Sequence, residues 1–204
     1  MNSIKLNKIF VEPSKVVCVG RNYVEHIKEL NNDMPEFMVL FNKPNSAITN
    51  TLYYFSTTHR FEGELCFLIK SGKIAGVGFG LDLTNKDAQE YAKSKGLPWE
   101  RAKAFDNSAV FSEFIDFSGD IKSLSFKLFI NGKLTQEANY DLMIYKIDTI
   151  IKEVNTFMSL EDNDIIMSGT PKGVGSYNIG DIFEAYIYSN EKEILSCKFE
   201  TIAK

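Results

Sequence analysis

The stretch HRFEGELCFLIK, residues 59–70, constrains the fold of this 204-residue chain more than any other segment. Apolar side chains alternate along one face of it: Phe61, Leu65, Phe67 and Ile69. This alternation predicts a β-strand. The opposite face carries Glu62 and Glu64, about 7 Å apart along the strand. Two like charges this close in an apolar strand repel each other, and one carboxyl group is pushed towards its neutral form unless something compensates it.

Three arrangements account for this pair of carboxylates. The face that carries them can be solvated, because an E-x-E pattern on a strand is common. The pair can bind a divalent cation, since Mg²⁺ and Mn²⁺ prefer oxygen ligands and Mg²⁺ often keeps water and substrate among its ligands. The pair can also form the acid and base of a glycosidase. Asp82 follows the apolar strand IAGVGFGLDL, and it is either a third ligand or a residue that favours the dipole of the next helix.

A second polar pair, His26 and Glu29, lies three positions apart in the short helical stretch EHIKEL. Side chains at this spacing are neighbours on a helix. A carboxylate beside an imidazole orients the ring and raises its basicity, as in a general-base dyad. An ordinary surface pair has the same spacing, and the residues alone favour that interpretation.

The remaining patterns predict a β-rich α+β domain that spans residues 1–204. The Asn-Gly pair at 131–132 lies between alternating apolar runs and predicts a hairpin turn. Residues 147–160 have an apolar stripe at helical spacing, which predicts a helix that faces the core. In GTPKGVG, residues 169–175, a tight turn offers backbone amides and the Thr170 hydroxyl to an anion.

A second helix is predicted from Thr84 to Gly96. Thr84 and Asp87 have the spacing of a capping box, with Asp in place of the usual Glu or Gln. Gly96 falls where a C-terminal cap belongs.

Charge and cysteine content exclude several functional classes. The chain has 23 Lys and Arg against 27 Asp and Glu, without a basic patch, which argues against a nucleic-acid partner. No apolar run approaches the roughly 18 residues of a membrane span, and the first ten residues have no secretory signal pattern. Cys18, Cys66 and Cys197 are widely spaced, which favours free thiols in a reducing cytoplasm.

Five motifs occur in order along the chain: VVCVGRNYVEHIKEL, LFNKPNSAI, FEGELCFLI, GLDLTNKDAQEYAKSKGLPWERAKAFDNSAVFSEFI and IIMSGTPKGVG. Together they resemble the fumarylacetoacetate hydrolase family, and most closely its small single-domain acylpyruvate hydrolases and oxaloacetate decarboxylases. The resemblance implies a mixed β-sheet roll with a few flanking helices, and a homodimer.

The resemblance also implies roles for individual residues. The metal triad of the family falls on Glu62, Glu64 and Asp82, with Mg²⁺ or Mn²⁺ as the cofactor. The remaining roles fall on seven residues: the catalytic His26, Glu29 and Lys103, and the substrate-binding Arg21, Lys43, Gln89 and Thr170. His26 and Glu29 would lie on a lid that orders over the substrate. A histidine often precedes the E-x-E motif directly, but here Arg60 and Phe61 follow His59, so we expect His59 to be structural.

The reaction implied by the resemblance is cleavage of a C–C bond in a small 2-oxo acid, through a metal-stabilised enolate. In acylpyruvate hydrolysis, His26 oriented by Glu29 would activate the attacking water. In oxaloacetate decarboxylation the same enolate forms by loss of CO₂, and Lys103 would offset its negative charge in both reactions.

Other functions stay open from the sequence. Within the family, the same chemistry supports isomerases, tautomerases and sugar-acid dehydratases. Outside the family, a glycosidase would act without a metal, and a non-enzymatic β-rich binding module would show neither turnover nor a specific cation site.

Overall fold

The computed structural model describes residues 1–25 and 36–204. Within these ranges a mixed eight-stranded sheet forms the centre of the fold. Its strands, in spatial order, are β4 (Val39–Pro44), β3 (Lys15–Gly20), β15 (Ile165–Met167), β8 (Gly63–Lys70), β9 (Lys73–Asp82), β11 (Ala109–Phe111) and β5 (Ile48–Thr49), with β12 (Ile115–Asp116) also paired to β9. The β3–β15 and β11–β5 pairs are parallel, and the other pairs are antiparallel.

A second, antiparallel sheet packs on one face of the first. Its strands, in spatial order, are β14 (Lys133–Asn139), β13 (Leu124–Ile130), β16 (Ile182–Ser189) and β17 (Lys192–Glu200). Three strand pairs complete the described β structure: β1 (Ile4–Leu6) with β2 (Ile9–Val11), β7 (His59–Arg60) with β10 (Thr84–Asn85), and β6 (Tyr53–Tyr54) with β18 (Ile202–Ala203). The expected β-rich α+β fold with a mixed, curled sheet is confirmed.

The helices of the described ranges are short. The α-helices are α1 (Lys86–Lys95), α2 (Glu100–Lys103) and α3 (Ile147–Val154), and the 3₁₀ helices span Asn45–Ala47, Ile121–Ser123 and Tyr140–Leu142. None of the helices in the described part of the chain is long and apolar enough to cross a membrane.

Strand β8 is buried on both faces. Leu65, Phe67 and Ile69 belong to the large core between the two sheets, while Cys66 and Leu68 belong to a smaller core on the other side. The alternation predicted for residues 59–70 is therefore confirmed. The structure also rules out a solvated outer face, because apolar groups cover both sides of the strand.

Local signals predicted two further elements correctly. Asn131 and Gly132 both have positive φ, as a two-residue hairpin turn between β13 and β14 requires. Helix α3 buries Ile147, Ile150 and Val154 against the large core. The helix ends at Val154, whereas the sequence predicted that it extends to residue 160.

The capping box predicted at Thr84 and Asp87 is wrong. The helix begins at Lys86, and its N-cap is Asn85, one residue after Thr84. The side-chain oxygen of Asn85 accepts from the backbone N–H of Ala88 at 3.1 Å. Thr84 is still in extended conformation because it pairs with Arg60 in the β10–β7 bridge. The C-terminal cap at Gly96 is confirmed, with φ of 63°.

Asp164 ties the start of β3 to the start of β15, its parallel neighbour. Its Oδ1 accepts from Ser14 N at 3.0 Å and from Lys15 N at 3.1 Å, and its Oδ2 pairs with the Lys15 ammonium and accepts from Glu161 N at 2.8 Å. Burial raises the pKa of Asp164, but the bonds from Lys15 and Ser14 outweigh it and lower the pKa below the ordinary value of a carboxyl group.

We expect Asp164→Asn to lower the free energy of unfolding at neutral pH by about 2–3 kcal/mol, because the amide loses the ion pair and presents N–H groups to Lys15 and Glu161. The pKa of Asp164 is lower in the folded state than in the unfolded state. The stabilisation by its ion pair and hydrogen bonds is therefore present above the unfolded-state pKa, and it is lost as pH falls through the folded-state pKa. Urea unfolding at pH 7 and at pH 3 measures both effects. Asp116→Asn, at an exposed carboxylate, is the control. An equal difference at both pH values would contradict the assignment.

Candidate metal centre and active site

Three carboxylates meet where β8 begins and β9 ends. Glu64 is the second residue of β8, Glu62 precedes that strand, and Asp82 is the last residue of β9. Backbone pairing fixes their proximity, because Asp82 N donates to Glu62 O at 2.8 Å. One oxygen of each side chain lies within 4.8 Å of one oxygen of each of the others. The structure thus brings together the three residues predicted as metal ligands.

Lys103, at the end of α2, places its ammonium group against this carboxylate cluster. Its Nζ donates to Glu62 Oε2 at 2.9 Å and to Asp82 Oδ2 at 2.7 Å. Burial lowers the pKa of Lys103, but the charges of Asp82 and Glu62 outweigh burial and raise it. Asp82 and Glu62 therefore favour the charged form of Lys103. Its predicted catalytic role stays a prediction.

Lys43 lies on the other side of Asp82 and has no exposed surface. Its Nζ is 2.8 Å from Asp82 Oδ1, and it donates to Ser108 Oγ at 3.0 Å and to the backbone oxygen of Lys103. These protein groups surround the ammonium, which supports a role in holding Asp82. The substrate contact implied for Lys43 by the resemblance stays a prediction.

The pKa values of two carboxylates in the cluster are shifted in opposite directions. Burial, reinforced by the charges of Asp82 and Glu62, raises the pKa of Glu64. Burial alone would raise the pKa of Asp82 too, but Lys103 and Lys43 outweigh it and lower the pKa. The three carboxylates and two ammonium groups leave one net negative charge when all are ionised.

A divalent cation fits this site. The donors are all carboxylate oxygens, which suit Mg²⁺ and Mn²⁺. One carboxylate oxygen of each of the three residues lies within 4.8 Å of the others, close enough for all three to bind one ion. Glu64 Oε2 accepts from Gly169 N at 2.7 Å, which holds its carboxylate towards the site.

Thr170 lies beside the strand that carries the carboxylates, and its hydroxyl group is fully engaged with protein. The hydroxyl donates to Gly63 O at 2.9 Å and accepts from Gln136 Nε2 at 2.9 Å. An anion in this turn would therefore bind the backbone amides rather than the Thr170 hydroxyl hydrogen. Thr170 as a substrate-binding residue stays a prediction.

Four further predicted residues, and His59, remain to be located. Arg21 follows β3 with φ of 57°, and Gln89 is half-buried on α1. His26 and Glu29 lie outside the described residues, so their dyad stays a prediction. His59 is buried against Phe55, with ring centroids 5.1 Å apart, and its Nδ1 lies 2.9 Å from Ser56 Oγ. This environment agrees with a structural role for His59.

Sequence reasoning missed two residues of the centre. Thr84 donates to Glu62 Oε1 at 2.9 Å, and Gln136 bonds to both Gly63 and Thr170. Both had a signal in the sequence. Thr84 lies two residues after Asp82 and so on the same side of an extended segment, and Gln136 is a polar residue at an inward-facing position of β14.

We expect Lys43→Met to lower the free energy of unfolding by about 3 kcal/mol, because it leaves Asp82 buried with one counter-charge instead of two. Denaturant unfolding compares it with Lys86→Met, which removes an exposed lysine that pairs with Glu90 at 3.5 Å. The control should change stability by less than about 0.5 kcal/mol. Equal effects of the two substitutions would show that the Lys43 pair does not stabilise the fold.

Comparison with known proteins agrees with this geometry. The sequence profile described as "Fumarylacetoacetate (FAA) hydrolase C-terminal" matches residues 15–202. Oxaloacetate tautomerase YcgM of Escherichia coli (strain K12) is 40% identical over 188 residues, which cover 82% of this chain and 85% of that protein. The mitochondrial oxaloacetate tautomerase FAHD1 of Bos taurus is 35% identical over 213 residues, 96% of this chain and 95% of that protein.

A solved structure extends the comparison to the fold. The fumarylpyruvate hydrolase of Pseudomonas aeruginosa, in complex with Mn²⁺ and pyruvate, superposes with a TM-score of 0.88 at 26% sequence identity. The superposition covers 100% of this chain and 96% of that one.

Proposed function

Because this chain belongs to the fumarylacetoacetate hydrolase family, we propose that it is a divalent-metal-dependent enzyme that acts on a small 2-oxo acid through its enol form. The observation that carries this proposal is the carboxylate cluster of Glu62, Glu64 and Asp82 with the Lys103 ammonium against it. The names of the relatives identify oxaloacetate as the first substrate to test.

Glu62, Glu64 and Asp82 would hold the metal ion, and Mg²⁺ and Mn²⁺ both suit these ligands. When bound, a divalent cation supplies Lewis-acid polarisation of substrate oxygens. Lys103 adds a fixed positive charge beside the same position, where negative charge develops on the substrate oxygen as the enol forms. The backbone amides of the turn around Thr170 would hold a substrate carboxylate.

The charge balance supports an anionic substrate. The cluster with its two lysines has one net negative charge, which repels a carboxylate. A divalent cation changes this to one net positive charge, which attracts it. Substrate binding should therefore depend on the metal even before any chemical step.

Two reactions fit this chemistry. Keto–enol tautomerisation of oxaloacetate moves a proton between carbon and oxygen and breaks no C–C bond, and the names of the curated relatives favour it. Cleavage by acylpyruvate hydrolysis or oxaloacetate decarboxylation is the second candidate, supported by the Mn²⁺ and pyruvate complex of the Pseudomonas hydrolase. A sugar-acid dehydratase would use the same metal centre. Family membership disfavours the metal-independent glycosidase and the non-enzymatic binding module.

We expect protein stripped with EDTA to lose its activity on oxaloacetate and to regain it with Mg²⁺ or Mn²⁺. Tautomerisation is followed by the ultraviolet absorbance of the enol, and cleavage by pyruvate release from oxaloacetate or acetylpyruvate. Glu64→Gln should lower kcat/KM about 100-fold, since a loss of roughly 3 kcal/mol of transition-state stabilisation gives that factor. Glu184→Gln, on the second sheet, is the matched control.

The outcomes separate the candidates. Enol conversion without pyruvate release identifies a tautomerase, and metal-restored pyruvate release identifies cleavage. Full activity of Glu64→Gln, or activity that EDTA leaves unchanged, would overturn the metal centre.

The predicted His26–Glu29 dyad leads to a separate test. His26→Ala should lower acetylpyruvate hydrolysis more than oxaloacetate decarboxylation, because only hydrolysis needs an activated water. Steady-state kinetics with the two substrates give the ratio of the two effects. An equal loss on both substrates would argue against water activation by His26.

The assembly and location of the protein are part of this proposal. We infer a homodimer, as the sequence resemblance implies, and a cytoplasmic location, which the three free cysteines favour. Light scattering coupled to gel filtration tests the dimer, and fractionation of the source cells tests the location.

A further inference from the structure

The side chain of Gln136 links the strand that carries the carboxylates to the loop that follows β15. It lies on β14 of the second sheet and is 2% exposed. Its Oε1 accepts from Gly63 N at 2.9 Å, and its Nε2 donates to Thr170 Oγ1 at 2.9 Å and to Pro171 O at 3.0 Å. Gly63 is the residue between the two glutamates of the carboxylate cluster. One amide therefore bonds to both parts of the candidate active site.

This link holds Gly63 through both of its backbone polar groups. Gln136 accepts from its N–H, and the Thr170 hydroxyl donates to its C=O. A Cβ at position 63 would lie 2.7 Å from Gln136 Oε1, so only glycine leaves room for the amide. The orientation of the peptide groups on either side of Gly63 decides where Glu62 and Glu64 direct their side chains.

The loop after β15, which Gln136 links to Gly63, also contacts Glu64 directly. Gly169 N donates to Glu64 Oε2 at 2.7 Å, so the position of the loop sets the position of this carboxylate. Asn22 holds the start of the loop, because its Nδ2 donates to Ser168 O at 2.8 Å. Gln136 holds the other end through Thr170 and Pro171. The loop is thus fixed on both sides of the Gly169 N–H.

We propose that Gln136 is a positioning residue for the carboxylate cluster, which acts through Gly63 and Thr170 to hold Glu64 in the orientation that binds a metal ion. This inference rests on the proposed function. Groups that orient metal ligands without touching the metal typically contribute 10–100-fold to its affinity. Gln136 lies on the other sheet, so the packing of the two sheets contributes to metal affinity.

The test is the Mn²⁺ dissociation constant of the folded protein, measured by titration calorimetry without substrate. Gln136→Met keeps a similar shape without hydrogen bonds, and Thr170→Val removes the hydroxyl at the other end of the same link. We expect each to weaken Mn²⁺ binding about tenfold. The double variant should bind Mn²⁺ about as tightly as the single variant of lower affinity, because both substitutions break the same link.

A control separates positioning from general stability. Ile187→Ala removes apolar contacts from the same sheet, in the large core, at a position whose cross-strand partners are Phe126 and Leu195. It should lower the melting temperature while the Mn²⁺ dissociation constant stays within about twofold, since the affinity of the folded state does not depend on global stability. If Gln136→Met does not fold, the Mn²⁺ dissociation constant of Thr170→Val is the test of the link.

Mn²⁺ affinity within twofold of wild type in the folded variants would overturn the inference and leave Gln136 a purely structural residue. Fully additive losses would also overturn it, because the two residues would then act separately. Absence of Mn²⁺ binding by the wild-type protein is a different outcome. It would overturn the proposed metal centre and this inference together.

Discussion

The two buried ammonium groups on either side of Asp82 make the rest of the site possible. Without Lys43 and Lys103, three carboxylates at the end of one strand pair would not all ionise away from water, because burial and mutual repulsion both favour their neutral forms. The lysines compensate two of the charges when all three carboxylates are ionised, and Glu64, whose pKa is raised by burial and by its neighbours, is the carboxylate that they compensate least. In the proposed function a divalent cation would compensate the third charge, and the resulting positive charge would attract an anionic substrate.

The architecture provides the rigid support that a buried charge cluster needs. Strand β8 is part of this support because it is packed on both faces. The apolar residues of the strand secure its backbone between the two cores, while Glu64 is its second residue and Glu62 directly precedes it. Lys43 from β4 and Lys103 from α2 then pair with the two carboxylate oxygens of Asp82. The strand that is packed on both faces thus carries Glu64 and directly follows Glu62.

Local sequence patterns predicted the elements that depend on residues close together in the sequence. The alternation at 61–69, the Asn131–Gly132 turn and the apolar stripe of α3 each follow from periodicity or turn chemistry. Spacing alone left Asp82 between two roles, and the resemblance assigned it to the metal. The positions of Lys43 and Gln136 depend on which distant strands become neighbours, and Thr84 was misassigned because a short strand bridge overrode its capping signal. The partners of Lys43 and Gln136 are not encoded in a local window, whereas the side of the chain on which Thr84 lies follows from its spacing to Asp82.

The order of strands has a consequence for how the chain reaches this structure. A two-residue turn joins β8 to β9, so the hairpin can bring Glu64 and Asp82 together early. Lys43 reaches them only after β15, from late in the chain, has inserted between β3 and β8. Such non-local pairings form slowly. In the interval the carboxylates repel each other without both of their lysines, and a dissolved cation can take the place of the missing charge. The refolding rate with and without Mg²⁺ therefore reports whether the hairpin forms first.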